Sequence, residues 1–114
     1  MIEEIVLQYL LTVFDHVYTE EQEEQNEEYI VIEKTAGSGE NHLYSATLAI
    51  QSYSSSLYKA AKLNEKVKSA MKKMNEIVNI SKVNLNSDYN YTDTAKKKYR
   101  YQAVYDIYYF KEEE

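Results

Sequence analysis

Histidine and cysteine, two residue types that often carry out acid–base, nucleophilic or metal chemistry, are scarce or absent in this sequence. The chain holds two histidines, His16 and His42, which fall in different segments, and it has no cysteine. No Ser–His–Asp order, HExxH motif or other metal-ligand spacing is present. Without cysteine, disulfides and thiolate metal sites are excluded. We expect both histidines at exposed or turn positions, and the sequence predicts no catalytic residue, no metal site and no cofactor.

The segment AGSGE (Ala36–Glu40) is the one candidate for a phosphate-binding loop. It holds the only two glycines of the chain, Gly37 and Gly39. A phosphate loop needs a following Lys-Ser/Thr pair and a helix whose N-terminus faces the anion, whereas here a strand pattern follows. We interpret the segment as a hairpin turn, in which glycine would supply positive φ angles.

The charge of the chain is unevenly placed. Thirteen Lys and Arg stand against nineteen Asp and Glu, for a formal net charge of -6. The segment 20–28 is acidic and lacks the glycine and aspartates of a calcium loop, so we expect a solvated loop or a docking loop for a basic partner. Its carboxylates are Glu20, Glu21, Glu23, Glu24, Glu27 and Glu28.

A basic stretch and many tyrosines leave several functions open. Lys59, Lys62 and Lys66 lie on one predicted helix, where they could be solvated, bind nucleic acid or meet the acidic segment of a neighbouring copy. Four of the thirteen tyrosines could stack on bases, although their alternation favours a half-buried sheet. These are Tyr89, Tyr91, Tyr99 and Tyr101. The negative net charge argues against a nucleic-acid partner.

Hydrophobic periodicity places two helices and a series of strands along the chain. The predicted elements are a helix over Met1–Phe14, an extended piece at Val17–Thr19, strands at Tyr29–Thr35 and Asn41–Tyr53, a helix from Leu57 to Ile77–Asn79 capped by Ser54–Ser56, and a strand pair on either side of a turn at Thr92–Lys97. Agreement in period across three elements predicts a core made of Ile30, Ile32, Leu48, Ile50, Val67 and Met71.

The order α–β–β–β–α–β–β indicates a single α+β domain over residues 1–114. We expect a mostly antiparallel sheet of about five strands with two helices packed on one face. The other face would carry polar and tyrosine side chains, and the sheet edges would be open. No basic and apolar leader and no apolar run long enough to span a bilayer is present, so we expect folding in the cytoplasm and no membrane partner.

Over about residues 17 to 78 the chain resembles a family of small structural proteins of long-tailed bacteriophages. These are the tail-terminator or tail-completion proteins, also described as minor structural or head–tail joining proteins in prophages of Gram-positive bacteria. The resemblance is carried by Val17, Tyr18 and Glu20, the acidic loop, and VIEKTAGSGENHLYSATLAIQSYSSSLYKAAKLNEKV. Members often have prolines in the acidic loop, whereas this chain has none.

The resemblance implies an α+β subunit that forms a ring, commonly sixfold, at the end of the tail tube. Such a ring ends tube polymerisation and presents a surface to the head connector. It implies no catalytic residues, and it places the protein in the virion. Copies in a ring meet through unlike patches, for which the six loop glutamates, Gly37, Gly39, Lys59, Lys62 and Lys66 are our candidates.

Overall fold

A computed structural model describes residues 1–22, 28–40 and 42–110 of the chain. Its elements, in chain order, are α1 (Ile2–Leu11), β1 (Val17–Tyr18), β2 (Tyr29–Glu40), β3 (Leu43–Ser54), α2 (Leu57–Met71), a short 3-10 turn (Met74–Glu76), β4 (Ile80–Asn90) and β5 (Tyr99–Phe110). The predicted α+β class and the order of helices and strands are confirmed.

The five strands form one sheet in the order β1-β2-β3-β5-β4. The pairs β2–β3, β3–β5 and β4–β5 are antiparallel. β1 is parallel to β2, where it pairs with Ile30 and Val31, so the sheet is mostly antiparallel, as predicted, with one parallel pair at this edge. A parallel pair needs a longer connection than the tight turn that joins antiparallel neighbours, and β1 and β2 are separated in the sequence by residues 19–28.

Both helices pack on the same face of the sheet, as expected, and we call it the helix-covered face. The six predicted core residues are all nearly or fully buried there. They meet Ile2, Val6 and Leu10 from α1, and Ala103, Tyr105 and Ile107 from β5. Apolar side chains from every layer therefore form one contiguous core.

The two helices are shorter than the periodicity predicted. α1 ends at Leu11, and two apolar residues of the helix predicted over Met1–Phe14, Ile5 and Val13, are exposed. α2 begins as expected, because Ser56 accepts a hydrogen bond from the backbone N–H of Lys59 at 3.2 Å. It ends at Met71, after which the 3-10 turn carries the fully buried Met74 into the core.

The glycine segment is strand rather than turn, which corrects our interpretation of AGSGE. β2 continues through it, and Gly37 and Gly39 pair with Ala46 and Tyr44 of β3. Neither glycine has a positive φ; the left-handed residue of this hairpin is His42, at φ 68°. The glycines are needed for space: a Cβ on Gly39 would overlap the ring of Tyr44. The sequence showed the glycines but not this close approach.

Candidate subunit interface

The acidic segment is tied to the sheet face that the helices leave free, which we call the open face. The Glu21 carboxylate accepts a bond from Lys98 Nζ at 2.7 Å, and the same nitrogen donates to the Gln22 carbonyl at 3.1 Å. The Tyr29 hydroxyl also donates to that carbonyl, at 3.2 Å. The hydrogen bond from Lys98 lowers the pKa of Glu21 despite partial burial. Glu21 and Gln22 thus connect the chain that follows β1 to the residue that precedes β5.

Lys98 is a functional candidate that sequence reasoning passed over. The sequence predicts a turn that ends beside Lys98, at Thr92–Lys97, and it favours α2 instead as the partner of the acidic segment. Opposite charge on two loops at the same end of a sheet was the available signal. Of the other acidic candidates, Glu20 and Glu28 are exposed. Glu23, Glu24 and Glu27 lie outside the described residues.

The three candidate lysines follow the exposed side of α2. Within the described residues none of them forms an ion pair, although Lys62 lies 5.1 Å from the centre of the Tyr58 ring. Lys66 and Glu28 line one cleft of about 390 Å³ between the two helices and the start of β2. Lys66 and Glu28, two interface candidates of opposite charge, therefore line the same cleft within one subunit. Glu21 is bound on the opposite face of the sheet.

A row of aromatic rings and one guanidinium crosses the open face. The Tyr29 and Tyr53 rings stack with centroids 4.4 Å apart, and Tyr18 meets Tyr29 edge-on at 6.1 Å. The Arg100 guanidinium lies 5.5 Å from the Tyr53 ring and 4.5 Å from the Tyr91 ring. Each of the five strands contributes one side chain to the row; for β4 this is Tyr91, the residue directly after the strand. Cation–π attraction by Arg100 links the rings of Tyr53 and Tyr91.

Hydrogen bonds continue from this row into the middle of the open face. Arg100 donates to the Tyr53 hydroxyl at 2.7 Å, and that hydroxyl donates to Gln51 Oε1 at 3.2 Å. Gln51 donates to Gln102 at 2.8 Å, and Gln102 donates to the Tyr89 hydroxyl at 2.5 Å. Gln51 and Gln102 are only 6% and 7% exposed. Buried amides are tolerated here because each has partners.

Burial of the tyrosines changes their acidity. Desolvation raises the pKa of Tyr29 to about 12. Burial also raises the pKa of Tyr53, against the opposing effect of the hydrogen bond and positive charge of Arg100. These hydroxyls are therefore neutral hydrogen-bonding groups at ordinary pH.

The lysines and tyrosines proposed for nucleic-acid binding do not form one surface. Lys59, Lys62 and Lys66 project from a helix on the helix-covered face. Tyr89 and Tyr91 belong to the open face, where their rings lie 6.0 Å apart and one of them contacts Arg100. Strand alternation places the other two, Tyr99 and Tyr101, on the helix-covered face. A single strand of nucleic acid would have to pass around a sheet edge to reach both sets.

The two candidate glycines lie at the outer edge of β2. This edge is covered by β1 only at Ile30 and Val31. At the other side of the sheet, the outer edge of β4 has no neighbouring strand in the described part of the chain. Two unpaired strand edges of one sheet are sites at which further strands can add.

The described residues show neither a metal-binding cluster nor a membrane-spanning helix. Across 1–22, 28–40 and 42–110, no group of three or more His, Asp and Glu side chains is arranged to hold a metal ion. No described helix is both long and apolar enough to cross a bilayer. Comparisons with models of protein families, with curated proteins and with solved structures find no match to this chain.

Proposed function

We propose that this protein is a virion structural protein of the tail-terminator kind, which acts by assembling into a ring. Its partners would be further copies of itself, the tail-tube protein and the head connector, and it would need no cofactor and catalyse no reaction. The observation that carries the proposal is that, in the described part of the chain, the outer edge of β4 and most of the outer edge of β2 have no neighbouring strand. Two unlike free edges suit a head-to-tail contact between copies.

The distribution of charge supports the same proposal. Lys59, Lys62 and Lys66 are exposed and form no ion pair among the described residues, and the described acidic candidates other than Glu21 are exposed as well. Contacts between copies would bring the acidic segment of one subunit to the basic side of α2 of the next. Each exposed pair contributes only about 0–1 kcal/mol, so several must act together.

Sedimentation across a salt series tests this use of charge. Attraction between exposed charges is screened over roughly 8–10 Å at moderate salt, so assembly should weaken as salt rises. A variant with Glu20, Glu23, Glu24 and Glu27 replaced by Gln should assemble less at low salt; it spares Glu21, whose partner is in its own subunit. The matched control makes the same change at Glu4, Glu112, Glu113 and Glu114. Equal assembly of all three proteins at every salt concentration would show that charge is not involved.

The alternative from another class is a small nucleic-acid-binding module that uses the lysine helix and the tyrosine-rich sheet. It predicts binding to single-stranded DNA that falls steeply with salt. The placement of Tyr89 and Tyr91 on the face of the sheet opposite Lys59, Lys62 and Lys66 favours the structural role. Salt-dependent DNA binding by a protein that stays monomeric would reverse that preference.

A further inference from the structure

The outer edge of β2 exposes backbone hydrogen-bonding groups at the two glycines. Ile30 donates its N–H to the His16 carbonyl at 2.9 Å, on the side of the strand that faces away from β3. Residues of one strand whose side chains share a face point their N–H and C=O groups to the same side. Gly37 and Gly39 share the face of Ile30, because they pair with Ala46 and Tyr44. Their backbone groups therefore point outward, where no described strand lies.

The outer edge of β4 is arranged in the complementary way. Tyr91 donates its N–H to the Arg100 carbonyl at 2.9 Å, so residues on the open face point toward β5. The residues of β4 on the helix-covered face point outward instead. They include Val83, Leu85 and Asp88, which pair with Ile107, Tyr105 and Ala103. β2 and β4 run in opposite directions, since three antiparallel pairings separate them.

One register matches the two edges in detail. β2 carries an irregularity between Lys34 and Ala36, and β4 carries one between Leu85 and Ser87 in addition to one near its start, between Ile80 and Lys82. If Gly37 of one copy faces Leu85 of another, the irregularity of β2 and the one after Leu85 in β4 come next to each other. Gly39 then faces Val83, and Lys34 faces Asp88. On both sides of the irregularity, residues on the helix-covered face of one copy then lie opposite residues on the helix-covered face of the other. A shift of the register by one residue would place them opposite residues of the open face.

The side chains in this register are compatible. Leu85 is 46% exposed in its own subunit, and the position opposite it is a glycine, so the leucine would need only the flexible end of the Lys34 side chain to move aside. Lys34 and Asp88 have opposite charge, and opposite charges across a strand pair are favourable. Asp88 already accepts bonds from Asn64 and Lys68, at 3.0 Å each, so its carboxylate is held in place.

We propose that the β2 edge of one subunit pairs antiparallel with the β4 edge of the next copy, with Gly37 opposite Leu85. The contact is heterologous, and its repetition joins the sheets of successive copies into one continuous sheet that closes as a ring. The inference deepens the proposed function and rests on it, by naming the surfaces through which copies meet.

Cysteine crosslinking of the full chain tests this register, helped by the absence of native cysteine. In the proposed register Ser38 faces Asn84 at a pair without hydrogen bonds between the strands, where Cα atoms lie about 4.5 Å apart, within the range of a disulfide. The variant carrying both Ser38→Cys and Asn84→Cys should form, on mild oxidation, a ladder of covalent multimers ending in the closed species. Each single variant should form no covalent multimer.

Three outcomes would overturn the inference. A dimer from Ser38→Cys alone would mean two-fold pairing of β2 with itself. Equal crosslinking by Ser38→Cys combined with Leu85→Cys, which are on opposite faces, would mean that no register is selected. Assembly seen by sedimentation without any crosslink would mean that copies meet through other surfaces, which leaves the proposed function standing. Crosslinked polymers that grow without closing would support the strand pairing but contradict the proposed function as a closed ring.

Discussion

The two faces of this sheet are buried in different ways. On the helix-covered face, Leu48, Ile50 and Ile107 are fully shielded by apolar contacts with two helices. On the open face no helix is present, yet Tyr53 and Gln51 are only 3% and 6% exposed. There the shielding comes from stacked rings, linked amides and the acidic segment held by Lys98.

The difference shows that burial alone does not identify a core. Apolar burial gains about 25 cal/mol per Å² removed from water. A buried hydrogen-bonded network has a small net effect on stability, but losing one member leaves its partners unsatisfied. We therefore expect substitutions on the helix-covered face to act through volume, and substitutions on the open face to act through unpaired groups.

The largest effect should follow from truncating the helix-covered face. Leu48→Ala should lower the free energy of unfolding by about 2–5 kcal/mol, since it empties space in a packed core. Val31→Ala, at a buried position of the open face, is the control and should cost less. Chemical denaturation measures both, and a cost near zero for Leu48→Ala would mean that the strand faces are assigned the wrong way round.

Alkaline pH should act on both faces through their buried tyrosines. The pKa values of Tyr29 and Tyr105 are each raised by burial to about 12 in the folded protein, above the usual value near 10. Their contribution to stability is complete below pH 10 and is lost as pH rises toward 12. Between these values each tyrosine should lower the free energy of unfolding by about 1.4 kcal/mol per pH unit.

Replacing Tyr29 by Phe removes one of these titrations. The slope of unfolding free energy against pH above 10 should become shallower in Tyr29→Phe than in the wild type. Tyr58→Phe is the matched control, because Tyr58 is 70% exposed and should leave the slope unchanged. Equal slopes in the wild type and Tyr29→Phe would contradict the burial of the Tyr29 hydroxyl.

The amide pair Gln51 and Gln102 should show the coupling expected of the open face. Gln51→Leu alone should lower the free energy of unfolding by about 1–3 kcal/mol. It removes the donor to the side-chain oxygen of Gln102 and the acceptor of the Tyr53 hydroxyl. The double variant Gln51→Leu with Gln102→Leu should cost less than the sum of the two single changes. Additive costs in denaturant unfolding would show that the pair does not act as a unit.

The two glycines of β2 should differ in their tolerance of a methyl group. Gly39→Ala should destabilise by about 1–3 kcal/mol, since its Cβ would overlap the Tyr44 ring, which is stacked on Tyr109. Gly37→Ala should be milder, because its Cβ would meet only the mobile end of the Lys34 side chain, 2.7 Å away. Thermal unfolding of the pair makes the comparison, and equal shifts in Tm would count against the Tyr44 contact.

The periodicity of apolar residues predicted the helix-covered face well. Ile30, Ile32, Leu48, Ile50, Val67 and Met71 alternate or recur at helical spacing, and all are buried. The order of elements followed from the same signal. Period two cannot tell which strands become neighbours, however, so the parallel pairing of β1 with β2 was missed.

The open face was harder to predict because its order depends on contacts between distant residues. Gln51 and Gln102 are polar residues at alternating positions, which ordinarily indicates solvent exposure. Their burial results from pairing across β3 and β5. The glycine turn was placed wrongly for a similar reason, because Tyr44 lies over Gly39 and no local pattern records that contact.

Native mass spectrometry of the full chain over a concentration series tests most directly whether this protein acts by assembly. We expect the 13.4 kDa monomer to be replaced, as concentration rises, by one closed oligomer with a fixed number of copies. Higher concentration should then increase the amount of that species and not its size. A protein that stays monomeric at all concentrations, or that forms oligomers of ever larger size, would contradict assembly into a closed ring.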